Sequence, residues 1–307
     1  MSPELSSLKL LIMGRPVVIR SADLGLLASV AAAYADWRPT GAADGPPIQL
    51  ELKAGDEAAD GALRIEVEGS RLRMAGAGVE GWAHAQALTA FCEVPPCLAK
   101  QPARLAVEVT DTLLLFLLTR SGRTPLHAAG VMSGKSALVL AGPSGSGKST
   151  LSLAAMERGL RILSDDTVYI QMLPRLRIWG WPRPLHVFPA DAPGFIGETR
   201  LRAGKLKAAV PVAPWAGPPV AERAAVVLLE RGDRVRLEPV EPEVAAKALS
   251  RLEPGFDLLR RESEEAIAAM TAPGAWRMTL TRDPGAAIDA LLDQFGHDLG
   301  SAAAPFV

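Results

Sequence analysis

At 307 residues the chain is long enough for about two domains, and 33 Lys+Arg against 34 Asp+Glu leave a net charge of -1. That balance excludes a broad electrostatic footprint for nucleic acid or anionic lipid. The longest strongly apolar helical candidate, Leu113-Leu-Leu-Phe-Leu-Leu118, is far shorter than the roughly 20 residues of a membrane-spanning helix.

The first apolar run, residues 8–13, leads straight into Gly14-Arg15-Pro16 without the cleavage signature of a secretory leader. The expectation is therefore a cytoplasmic protein with neither a nucleic-acid nor a membrane partner. Residues 9–104 show short apolar or alternating runs: Val17-Val-Ile-Arg, Ile48-Gln-Leu-Glu-Leu, Leu63-Arg-Ile-Glu-Val-Glu and Leu72-Arg-Met. Alternation at period two reads as half-buried strands, interrupted by one helix at 26–35 and a Gly/Pro/Ala/Asp loop at 38–47. A mostly-β N-terminal lobe over 1–105 follows. Cys92 and Cys97 are too few for a disulfide framework and lack the further Cys or His of a zinc site, so they read as structural thiols.

A core domain is expected over 106–300, with a frayed tail at 301–307. Residues 106–120 read as a strand and then a buried helix, stopped by Ser121-Gly-Arg-Thr-Pro125. Ser133-Gly134-Lys135 reads as a hairpin turn between Leu126-His127-Ala-Ala-Gly-Val-Met and Ser136-Ala-Leu-Val-Leu-Ala. The second strand delivers Gly142-Pro-Ser144-Gly145-Ser146-Gly147-Lys148-Ser149-Thr150, which fills every fixed position of G-x-x-x-x-G-K-[ST]. In a phosphate-binding loop of this kind the glycines let successive N–H groups face the anion, and the following helix adds its dipole. Lys148 would neutralise the β- and γ-phosphates, and the Ser149 hydroxyl would hold Mg²⁺. The helix should close at Arg158-Gly159, with a cation and a Gly cap.

Leu160-Arg-Ile-Leu-Ser164-Asp165-Asp166-Thr-Val-Tyr-Ile170 reads as a strand ending in paired carboxylates and then resuming. Phosphoryl transfer needs a Mg²⁺ carboxylate and a group that orients or deprotonates the acceptor hydroxyl, and adjacent acids can provide both. A further strand at 175–179 leads to Gly180-Trp-Pro-Arg183-Pro-Leu-His186. A long Pro/Gly/Ala-rich stretch at 189–219 then carries Arg200, Arg202, Lys205 and Lys207. So long a connection reads as a functional loop or lid, and with Arg183 its cations are candidates for holding an acceptor. Beyond it lie a hairpin turning at Gly232-Asp233, helices at 241–252 and 256–270, a strand at 276–280 and a closing helix at 284–295.

Taken together, Leu126-His127-Ala-Ala-Gly, the glycine-rich loop, Glu157-Arg158-Gly159-Leu-Arg161 and Leu163-Ser-Asp165-Asp166-Thr-Val168 resemble the catalytic core of HPr kinase/phosphorylase. The resemblance covers about residues 126–170. It implies an α/β fold with a P-loop core of the HPr kinase/phosphoenolpyruvate carboxykinase type. It also implies use of ATP and Mg²⁺, a homo-oligomer as in its relatives, and transfer of phosphate to a serine. Carried onto matching positions, it implies Asp165 as the base, Asp166 and Ser149 as the Mg²⁺ residues, Lys148 on the phosphates and His127 beside the catalytic acid, with the two Asp roles exchangeable.

Two departures are informative. Arg177, in Leu176-Arg177-Ile-Trp-Gly180, stands where the family carries an acidic residue, and the first hundred residues do not resemble its N-terminal domain. The chain is more similar to divergent HPr-kinase-like proteins, some of which phosphorylate serine on small ribosomally made peptides such as lasso-peptide precursors. A peptide or small protein is the expected acceptor. The alternatives are a small-metabolite kinase and a nucleotide-binding or hydrolysing sensor. A transporter ATPase is disfavoured because the Leu-Ser-Gly-Gly-Gln signature is absent from the sequence.

Overall fold

The computed structural model describes residues 4–35, 37, 42–57, 61–192, 199–202, 204–212, 218–252 and 259–295. Parts of the 38–47 loop, of the 189–219 stretch and of the helix expected at 256–270, and the whole 301–307 tail, lie outside them. The chain is mixed α/β and divides into two compact units, one built on Met1–Arg123 and the other on Thr124–Pro214 and Pro219–Val307. The division falls after Arg123 and not after residue 105.

In the first unit, β1 (Ser6–Ile12) and β2 (Arg15–Ser21) form a hairpin whose turn residues Met13 and Gly14 both have positive φ, 50° and 75°. Helix α1 (Leu24–Ala33) begins at Asp23, whose carboxylate caps the Leu26 N–H at 3.0 Å. It provides the crossover to the parallel strand β3 (Ile48–Ala54). Then come β4 (Arg64–Glu68), β5 (Arg71–Gly76), β6 (Val79–His84) and β7 (Thr89–Val94), completing a seven-stranded sheet in the order β1-β2-β3-β7-β6-β5-β4. The period-two alternation is visible in β3, where Ile48, Leu50 and Leu52 are buried and Gln49 and Glu51 are exposed.

Two short helices, α2 (Pro96–Ala99) and α3 (Pro102–Leu105), lead into a π-helical turn, Ala106–Thr110, and helix α4 (Asp111–Thr119). The strand expected after residue 105 is therefore helical. Its buried residues Val109, Leu113 and Leu117 recur at helical spacing, and Tyr34 Oη hydrogen-bonds Thr110 and Asp111, tying the turn to α1. The buried Arg123 guanidinium donates to the Met13 carbonyl and to Asp44, which holds the β1–β2 turn. Cys92 is a buried free thiol, its pKa pushed up to about 12 mainly by burial, and Cys97 is exposed and free.

The second unit opens with β8 (Thr124–Leu126), β9 (Ala128–Ser133) and β10 (Ser136–Ala141). It continues with α5 (Lys148–Glu157), β11 (Arg161–Ser164), β12 (Val168–Gln171), β13 (Arg177–Trp179) and β14 (Leu185–Val187). A single 3₁₀ turn (Pro189–Asp191), β15 (Thr199–Arg202), β16 (Lys205–Val210), β17 (Val220–Ala221), β18 (Arg223–Arg231) and β19 (Arg236–Val240) follow. The unit closes with α6 (Pro242–Ser250), α7 (Arg260–Thr271), β20 (Ala275–Leu280) and α8 (Pro284–Phe295).

Its central sheet has six strands in the order β11-β9-β10-β18-β20-β19. Helices α5 and α8 cover one face and β14 packs on α5, burying Leu138, Leu140, Val227, Leu229 and Met278 with Leu151, Leu185 and Ile288. Residues between these, such as Val139 and Val226, are buried as well. Such double coverage explains why β10 and β18 read as continuous apolar runs.

Two expectations are corrected here. Strands β18 and β19 are not a hairpin, because β20 lies between them, parallel to β18 and antiparallel to β19. The 189–219 stretch, expected as a loop or lid, holds strands where it is described, since β15 and β16 pair antiparallel and join β14 in a three-stranded sheet. Among the described residues no helix is long and apolar enough to cross a membrane.

Gly180 follows β13 against the end of β11, where a Cβ would lie 1.9 Å from the Leu163 carbonyl oxygen. Gly180→Ala should therefore destabilise the second unit by about 2–3 kcal/mol through forced backbone displacement. Thermal and denaturant melts read it, and an unchanged midpoint would contradict the close approach.

Candidate functional site

Three chain segments meet at one edge of the six-stranded sheet. Strand β9 runs antiparallel to both β10 and β11, so these two point the same way and end at the edge where β9 begins. His127 stands just before β9, the glycine-rich loop follows Ala141 at the end of β10, and Asp165 and Asp166 follow Ser164 at the end of β11. The acids are thus one strand away from the loop strand.

The loop makes a tight turn, with the Ser146 N–H donating to the Pro143 carbonyl at 3.0 Å. Gly145 and Gly147 have φ of +85° and +108°, in the left-handed region. Gly147 is the N-cap of α5 and offers no side-chain acceptor, so no side chain caps the first turn of the helix. Ser146 Oγ is buried without a hydrogen-bond partner, Ser144 is exposed, and Ser149 and Thr150 are half-buried. Thr150 Oγ1 donates to Asp191 Oδ2 at 3.0 Å.

Lys148 is only 7% exposed, and its ammonium donates to the Gly142 carbonyl at 2.6 Å. Burial lowers its pKa, Asp166 and Asp165 push it back up, and Lys207 adds a further lowering. The buried cation thus shares one field with both acids and with a second lysine.

The acids sit in a turn closed by Ser164 Oγ donating to the Thr167 carbonyl. The Asp165 side chain is 10% exposed; its Oδ2 accepts the His186 backbone N–H at 2.9 Å and lies 3.6 Å from His186 Nδ1. Its Oδ1 is buried and has no hydrogen-bond partner among the described residues. Asp166 is 65% exposed, with Oδ1 3.5 Å from His127 Nδ1. Burial lowers the His127 pKa and Lys148 lowers it further, against the opposing pull of Asp166.

Of the acceptor candidates, Lys207 lies within the electrostatic reach of Lys148, and Lys205 and Lys207 approach the Phe188 ring at 6.0 and 5.6 Å. Arg183 stacks over Trp181 at 5.4 Å. Arg200 and Arg202 belong to β15, at the register positions opposite Lys207 and Lys205. The sequence reading gave no role to His186, Asp191 or Arg231. A Cβ on Gly147 would stand 2.9 Å from Arg231 Nη2, so that guanidinium packs over the start of α5. A signal for His186 existed in Leu185-His186-Val187, a polar residue between two core residues. Asp191 and Arg231 had none, because their positions depend on tertiary packing.

No group of three or more His, Cys, Asp or Glu able to hold a metal ion occurs among the described residues. Mg²⁺ shared with phosphates requires only one or two carboxylates, and the exposed Asp166 with the half-buried Ser149 hydroxyl fits such a partial set.

No family model matches the chain, and no curated protein matches it. Matches to 37 solved chains exist. One of them is titled "Structure of the Hpr(Ser) kinase/phosphatase from Coxiella burnetii"; it is 14% identical, is aligned over 58% of this chain and 99% of that one, and has a TM-score of 0.29. At that TM-score the likeness carries no argument about activity.

Gly147→Ala should cost about 1–2 kcal/mol for the left-handed backbone alone, before Arg231 is displaced. Denaturant unfolding measures it, and a neutral result would be incompatible with φ of +108° at this position.

Proposed function

We propose that the second unit is an ATP- and Mg²⁺-dependent kinase that transfers the γ-phosphate to a serine-type hydroxyl of a peptide or small protein. The observation that carries this reading is the shared sheet edge, where a glycine-rich loop opening a helix stands beside a buried lysine and a carboxylate with an unpartnered oxygen. The resemblance of residues 126–170 to HPr kinase supports the same chemistry.

In this reading the loop N–H groups and the start of α5 cradle the phosphates, and Lys148 exchanges the Gly142 carbonyl for phosphate oxygens. Ser149 and Asp166 would hold Mg²⁺, which neutralises phosphate charge when bound. The acceptor oxygen attacks the γ-phosphorus, the bond from that phosphorus to the β–γ bridging oxygen breaks, and ADP leaves with the electron pair. The hydroxyl proton passes to the Asp165 carboxylate. The backbone N–H of His186 holds its Oδ2 and so fixes the carboxylate's orientation. His127 Nδ1 stands 3.5 Å from Asp166 Oδ1.

Lys148→Ala should abolish nucleotide binding or turnover, since the phosphate charge is left without its cation. Isothermal titration with ATP and a γ-³²P transfer assay read both, and a variant that binds and transfers like the parent would refute the assignment. Asp165→Asn should retain nucleotide binding and lose on the order of 10²–10⁴ in transfer rate. Asp166→Asn should instead raise the Mg²⁺ concentration needed for half-maximal rate. Superimposable Mg²⁺ titrations for the two variants would rule out the division of roles. Label released only as free phosphate would favour a nucleotide hydrolase, and label found only on a small metabolite would overturn the peptide acceptor.

A further inference from the structure

The three-stranded sheet β14-β16-β15 has two unlike faces. Leu185, Val187, Ala208 and Val210 join the apolar core with α5. Side chains alternate along a strand, so His186 and Phe188 belong to the opposite side, as do Lys207 and Ala209 of the neighbouring strand, with Ala209 registered against His186. One end of this second face touches the site, since His186 contacts Asp165. Three residues beyond Phe188, Asp191 accepts the Thr150 hydroxyl of α5.

The described part of this face is rich in positive charge. Lys205 and Lys207 place their ammonium groups 6.0 and 5.6 Å from the centroid of the same ring, Phe188, itself 41% exposed. Among the described residues neither ammonium has a carboxylate within ion-pair distance. Backbone register sets Arg200 opposite Lys207 and Arg202 opposite Lys205. The like charges of Lys205 and Lys207, gathered at one ring, repel and favour a bound anion.

We propose that Phe188, Lys205 and Lys207 form a subsite for a carboxylate of the acceptor, so that the hydroxyl phosphorylated here belongs to an acidic peptide segment. This rests on the kinase reading above and names the class of its substrate. The spacing specifies where the acid falls. Lys207 is two strand positions from Ala209, which faces His186, a distance of about 7 Å at the strand rise. An extended peptide with its serine at Asp165 covers that distance in two residues. Asp or Glu two residues from the serine then meets Lys207, and a second acid farther out meets Lys205. The exposed Phe188 ring covers the apolar stem between them.

Two measurements test this. In the first, direct binding, a fluorescein-labelled peptide of alternating Glu and Ser and its Gln/Ser counterpart are titrated into the full-length chain by anisotropy. The acidic probe should bind more tightly, the preference should shrink as salt is raised, and Lys205→Gln/Lys207→Gln should weaken it roughly fivefold with little effect on the neutral probe. In the second, transfer from labelled ATP is followed on serine peptides with Glu, Gln or Lys at the second residue from the serine. The wild type should have its lowest KM for the Glu peptide, and Lys207→Glu should shift the preference to the Lys peptide, a swap that a merely structural lysine would not produce. Equal binding of both probes, or a preference that survives the double substitution, would overturn the proposal. So would a double variant that loses ATP affinity to the same extent with every peptide, since the lysines would then serve the nucleotide. Tight lysine-dependent binding of the acidic probe without transfer from ATP would instead defeat the kinase reading and leave the subsite standing.

Discussion

The geometry of the candidate site depends on the reversal of β9 between β10 and β11. Because β9 is antiparallel to both, the two flanking strands run parallel and release their C-terminal ends at one edge, where β9 itself starts. A loop that needs a helix start, a turn that needs two acids and the histidine before β9 are thereby brought together with no long excursion of the chain. Ligand sites of open α/β sheets gather at the carboxyl ends of strands for the same reason. Gly180, pressed against the Leu163 carbonyl, keeps the end of β11 in place from the other side.

Charge balance explains how the Lys148 ammonium tolerates burial. Removing the Lys148 ammonium from water is unfavourable, as the direction of its pKa shows, and Asp166 and Asp165 offset part of that penalty. In return the lysine moderates the repulsion between adjacent carboxylates. Asp165, the more buried acid, is held by the His186 N–H at one oxygen, while Asp166 stays in solvent beside His127. The environments of two sequence neighbours therefore differ, and differing environments let adjacent carboxylates take different roles.

The elements fixed by local chemistry were legible in the sequence. Gly-rich punctuation after an apolar run located the β10–loop–α5 unit, the Ser133-Gly134-Lys135 turn located the β9–β10 hairpin, and period-two alternation located β3. What depends on distant pairing was not. Apolar runs on both sides of Gly232-Asp233 looked like a hairpin, yet β20, more than thirty residues later, separates them. Residues 106–120 carry both β-branched and helix-forming side chains, and the first turn, helical here, docks Thr110 and Asp111 on Tyr34, a contact between distant residues. His186 escaped assignment because its partner is 21 positions earlier, on another sheet.

The stretch that reads as a lid has a different physical character where it is described. In β14 and β16 one side chain of each alternating pair is part of the apolar core, so moving the face that bears His186 and Lys207 would expose Leu185, Val187, Ala208 and Val210 to water. At about 25 cal/mol per Å² of apolar surface, uncovering four such residues would cost several kcal/mol. That cost favours a fixed wall over a flap along these strands. A fixed wall presents its charges at set intervals, and set intervals select by the spacing of charge on the ligand. Among the described residues of the stretch, Pro189 opens the 3₁₀ turn and Gly204 reverses β15 into β16 with φ of +73°.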